Sequence, residues 1–108
     1  MKYEKREVAR LVGQFEAHIG ELKKATVAIA EAQKELSFWT EKRNVRFIAE
    51  AEETMQRAKA LHAQRFTLAR AARKNLEVAL SGAEPEVARR FAPVLGLWGR
   101  AVRSANEQ

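Results

Sequence analysis

Apolar residues recur every three or four positions along two long stretches of this chain, and the two stripes are mirror images of each other. The first runs Val8, Leu11, Phe15, His18, Leu22, Ala25, Ile29, Ala32, Leu36. The second runs Ile48, Ala51, Met55, Ala58, His62, Arg65, Ala69, Ala72. That spacing puts each stripe along one side of an α-helix. Read in opposite directions, the stripes pair residues whose numbers add to 80. Large side chains then meet small ones: Val8 with Ala72, Leu11 with Ala69, Leu22 with Ala58, Ala25 with Met55. One layer departs from this, with Phe15 opposite Arg65 and His18 opposite His62.

The pattern predicts an all-α fold. Its core is a long antiparallel helical hairpin, like a coiled coil, followed by a short, kinked C-terminal helix. At 108 residues the chain is expected to be one domain, 1–108. The first helix is predicted over 5–36, because the heptad phase fails after Leu36. Residues 37–41, beginning Ser37-Phe38-Trp39-Thr40, are weak helix formers and read as the turn. The second helix is predicted over 41–80, ended by Gly82 as a left-handed cap. A third is predicted over 85–104, starting at Pro85 and kinked near Pro93. Two copies related by a two-fold axis near residue 40 satisfy the same pairing, but the loss of phase favours a turn within one chain.

Apolar side chains also flank the seam. Val12 and Ile19 lie beside it on the first helix, with Phe66 matching them on the second. Phe47, Leu61 and Leu68 line the other side, and Phe91, Leu95 and Trp98 form the apolar face of the third helix. One short helix is too small to cover both flanks, so these nine residues are the expected interface of a homo-oligomer or of a protein partner. Trp39 and Trp98 are the candidate contact anchors. The alternative is ordinary scatter of apolar side chains on a surface.

The charge is +6, with 20 basic and 14 acidic residues. Arg57, Lys59, Arg65, Arg70, Arg73 and Lys74 occur in a window with no acidic residue between Thr54 and Leu76, and Arg89 and Arg90 follow. All but Arg65 are expected to project from the seam as a face for double-stranded DNA phosphates. The alternative is a solvated, solubilising face. From Glu31 to Glu53 the chain holds six acids and four bases, so the tip is predicted to be slightly acidic. No helix-turn-helix, zinc-finger or RNA-binding strand pattern is present.

No catalytic constellation, phosphate loop or inward carboxylate pair occurs, so no enzyme, small-molecule substrate or cofactor is expected. Two histidines alone do not make a metal site. Phe15, His18, His62 and Arg65 are read instead as a polar layer that fixes register. There is no cysteine. No apolar run spans a bilayer, so a cytoplasmic protein without a membrane partner is expected.

In architecture the hairpin resembles the central oligomerisation hairpin of phage-type small terminase subunits, whose rings present DNA to a packaging motor. That resemblance implies an oligomerising DNA adaptor. The chain leaves no room for the amino-terminal DNA-binding domain common in that family. Helical hairpins that act as chaperones or stalks in bacterial secretion and flagellar export look similar too. A small regulatory protein that occludes a partner enzyme is the third expectation.

Overall fold

The computed structural model describes residues 3–106. Its elements are α1 (Lys5–Glu41), α2 (Val45–Ser81), α3 (Pro85–Phe91), a 3-10 turn (Ala92–Leu95) and α4 (Gly96–Asn106). The two long helices pack against each other as an antiparallel hairpin, and the molecule is a rod of 61 × 18 × 15 Å. Every residue of both stripes turns inward, buried or half-buried. Periodicity alone therefore identified which side of each helix faces the other.

The turn lies later than 37–41. α1 runs on through those residues to Glu41, and the Thr40 hydroxyl donates back to the Leu36 carbonyl at 2.7 Å instead of capping a new helix. The chain reverses over residues 42–44. The Arg43 N–H donates to the Thr40 carbonyl at 3.1 Å and the Asn44 N–H to the Trp39 carbonyl at 3.3 Å. These two bonds make a Schellman ending, which needs one left-handed residue. That residue is Arg43, at φ 55°. Asn44 then opens α2, accepting the Phe47 N–H on its side-chain oxygen at 3.1 Å. One asparagine thus closes one helix and caps the next. Gly82, by contrast, ends α2 at φ −97° and is not left-handed.

α1 and α2 each have 37 residues, so a turn at 42–44 sets the register. The Tyr3 N–H bonds the Gly82 carbonyl at 3.0 Å at the base, and Trp39 meets Phe47 at the tip, ring centroids 4.5 Å apart. Facing numbers add to 85 and 86 at these two places. The pairing that adds to 80 is not adopted. α2 is displaced by about six residues, or ~9 Å at 1.5 Å per residue.

The third element breaks where Pro93 requires. Proline has no N–H to donate and its ring clashes with the preceding turn, so α3 gives way to a 3-10 turn before α4 resumes. α4 folds back on α1. The core consequently sits at the base of the rod. It holds Val8, Val12, Phe15, Ile19 and Leu22 from α1, Ala69, Leu76, Ala79 and Leu80 from α2, and Ala101 from α4. Nearer the tip the buried residues are mostly small: Ala25, Thr26, Ala32 and Ala51, with Met55.

Two substitutions test the turn. Arg43→Gly should raise the urea midpoint, since a left-handed non-glycine residue costs about 1 kcal/mol. Asn44→Ala should lower stability by about 1 kcal/mol through loss of the cap. Equal midpoints for both variants would place the turn elsewhere.

Candidate functional site

The covered flank is built by aromatic packing. Trp98 of α4 reaches Phe66 of α2 at 5.2 Å between centroids, and the Arg73 guanidinium lies 5.4 Å over the indole. Arg73 also pairs with Glu77 at 2.8 Å. Beneath this lid Val12 and Ile19 are buried, and Phe91 and Leu95 pack on the same core. Six of the nine expected interface residues are therefore used inside the chain: Val12, Ile19, Phe66, Phe91, Leu95 and Trp98. Trp98 closes the base of the rod and does not stand free.

The opposite flank of α2 is uncovered. Phe47, Leu61 and Leu68 remain exposed. Leu61 forms one wall of a shallow groove with Ala28, Ala32 and Ala58, edged by Glu31, Glu35 and Arg57.

The register shift takes the expected polar layer apart. Phe15 is fully buried and falls level with position 71, between Ala69 and Ala72, so the largest core side chain faces alanines. His18 falls level with position 68 and His62 with position 24. The two histidines are thus about 9 Å apart along the rod. His62 leans on Phe66 at 6.5 Å, and its Nε2 is buried without a hydrogen-bond partner. Arg65 is half-buried. Among the described residues no group of three His, Cys, Asp or Glu side chains gathers to hold a metal.

The expected basic face divides. At 100° per residue, Lys59, Arg70 and Lys74 share an arc of about 60° on α2. None of the three is in an ion pair among the described residues. Arg57 lies on the far side, about 160° around from Lys59, and pairs with Glu53 at 2.9 Å. Arg73 is engaged by Glu77 and Trp98. Arg89 and Arg90 stand at the base beside Glu86, with Arg90 over the Phe91 ring at 5.5 Å. The structure therefore leaves three cations of α2 in one row and sets the other four elsewhere.

Around Trp39 the tip carries an aromatic cluster that periodicity does not announce. Phe38, Trp39 and Phe47 pack in series, Phe38 edge-to-face on Trp39 at 4.8 Å between centroids and Phe47 tilted against Trp39 at 4.5 Å. Lys42 lies over Phe38 and Arg46 over Phe47. The available signal was Asn44 three residues before Phe47, a capping spacing that moves the turn to the basic residues. Among the described residues no helix is long and apolar enough to cross a membrane. Comparison with protein-family models, curated proteins and solved structures finds no match to this chain.

Truncation distinguishes the covered from the open flank. Trp98→Ala should cost about 3 kcal/mol in chemical denaturation, because it unpacks Phe66 and uncovers the core. Leu68→Ala, at an exposed site, should cost under about 1 kcal/mol. Similar losses for both would mean that the two flanks are equally packed.

Proposed function

We propose that this chain is a non-enzymatic helical adaptor. It grips nucleic-acid phosphates with one face of its rod and self-associates through the other. The observation that carries the reading is the row Lys59, Arg70, Lys74, three cations without an ion pair among the described residues, within a stretch free of acids. Fifteen residues of helix extend ~22 Å, long enough to follow several phosphates spaced 3.4 Å apart along a strand. Such contacts carry charge complementarity and no base recognition, so binding is indifferent to sequence. Leu61 and Leu68 supply the second surface. Burying each is worth about 1.5–3 kcal/mol, enough to bring copies together side by side. A ring of copies would be the packaging-type assembly of the small terminase kind, with the cations as a positive collar.

The open apolar flank also supports a second reading, an adaptor or stalk that binds a protein partner there and no nucleic acid.

Fluorescence anisotropy with duplex DNA over a range of salt tests the first reading. Three phosphate contacts give a slope of log K against log salt of about −2.7. Arg70→Glu with Lys74→Glu should flatten that slope by about 2. Absence of binding at low salt removes the nucleic-acid function and leaves the protein-partner reading.

Light scattering tests self-association separately. Leu61→Glu with Leu68→Glu should reduce the mass to that of one chain, while a wild-type chain already monomeric at high concentration defeats this part of the proposal. The same measurement on the wild type tells a dimer from a ring.

A further inference from the structure

The tip of the rod goes against local preference twice within four residues and exposes apolar side chains beside them. Arg43 occupies the left-handed position that glycine or asparagine takes at least cost. The first turn of α2 contains no acidic residue, although the positive end of a helix favours one, and it carries Arg46 instead. Val45, the first residue of α2, is 81% exposed, with Phe38 at 49% and Phe47 at 37% beside it. Nothing in the packing of the hairpin asks for any of these. Departures that local energetics oppose gather at sites with another task.

Together they make an apolar cap within a collar of cations. Phe38, Val45 and Phe47 form the cap. Lys42, Arg43 and Arg46 lie in the same apical stretch, beside Glu41. Arg46 pairs with Glu50 at 3.6 Å between two exposed side chains, a contact that solvent weakens. The cations thus gather at the apex of a segment, 31–53, whose acids outnumber its bases six to four. The Lys42 ammonium lies 5.6 Å over the Phe38 ring and the Arg46 guanidinium 6.0 Å over the Phe47 ring, so the charges sit directly beside the apolar cap.

The shape and chemistry select the partner. The tip is the convex end of a rod only 18 × 15 Å across. A convex cap suits a soft surface better than a small ligand, which needs a concavity. Stacked nucleobases need free aromatic faces, and here cations cover Phe38 and Phe47 while Trp39 lies between the two rings. Val45 offers no face to stack on. Apolar side chains beside cations, with a tryptophan at their boundary, match the headgroup region of an anionic bilayer.

We propose that the hairpin tip docks on anionic lipid surfaces. Phe38, Val45 and Phe47 enter the acyl boundary, and Lys42, Arg43 and Arg46 meet lipid phosphates. This contact is peripheral and requires no spanning helix. It departs from the expectation of no membrane partner, which rested on the lack of a span.

Vesicle co-sedimentation with phosphatidylcholine, with and without phosphatidylglycerol, tests it on the full chain. The wild type should partition onto the anionic vesicles only. In a Trp98→Phe background, Trp39 emission should shift to the blue on binding. Val45→Glu is the decisive variant. It places an acid at a helix N-terminus, so folding is retained or improved, while partitioning should fall about tenfold. Arg43→Asn keeps a residue tolerant of the left-handed turn and should weaken binding several-fold. Arg70→Glu with Lys74→Glu should leave vesicle binding unchanged, which separates this surface from the phosphate-gripping face. Failure of the wild type to partition overturns the proposal. So does equal partitioning of Val45→Glu, or loss of vesicle binding with the Arg70 and Lys74 changes alone. Loss of duplex DNA binding by Val45→Glu, with vesicle binding intact, would assign the tip to nucleic acid instead.

Discussion

The reversal at Lys42–Asn44 governs which side chains meet across the hairpin. Two helices of equal length joined by a short turn have no freedom to slide, because axial position is set where the chain turns back. Here the turn is made by a left-handed Arg43 and by Asn44, whose backbone closes α1 and whose side chain opens α2. From that point Trp39 faces Phe47. Phe15 falls between alanines, and Tyr3 reaches the end of α2. The base then presents the apolar groove on which α4 lies, and Trp98 finds Phe66.

A heptad pattern reveals the inward side of a helix much better than its axial position. Sliding one helix by seven residues returns every seam position to the seam. The pairing that adds to 80 and the observed one near 86 differ by almost one heptad, which is why both stripes point inward in either. Large-against-small pairing gave little discrimination, because alanines are spread along the whole of α2. Only the turn chemistry separates the two, and Ser37 and Thr40 offer a competing signal. Those hydroxyl residues can cap a helix, but inside a helix threonine can bond the carbonyl four residues back, as Thr40 does. The break at Pro93 was legible because a missing N–H has one consequence in any context. Of the surfaces, the exposed flank at Leu61 and Leu68 follows directly from periodicity. The burial of Val12 and Ile19 does not, since it depends on where a separate helix lands.

Coverage is one-sided for a reason of length. α4 has 11 residues, ~16 Å, against 37 in each long helix. It lids one flank at the base and reaches no further. That single lid accounts for much of the charge arrangement. Arg73 is drawn over Trp98 and pairs with Glu77, while Arg70 and Lys74 lie beyond the lid and have no ion pair among the described residues. His62 lies just past Phe66, where the bundle thins to two helices, and its buried Nε2 finds no partner there among the described residues.

Stability is thus concentrated at one end of the rod. The base holds Phe15, Leu22, Leu76 and Val8 fully buried. The outer half is a two-helix arm whose buried residues are alanines with one threonine and one methionine. Few large side chains are buried near the tip, so little core packing depends on what the apex carries. A left-handed arginine there costs about a kilocalorie, and the base absorbs that cost at a distance. The same substitutions among the core residues of the base would act on the elements that hold the fold together. The division lets the arm present residues that local energetics disfavour, and it explains why those residues occur at the apex and not along the packed base.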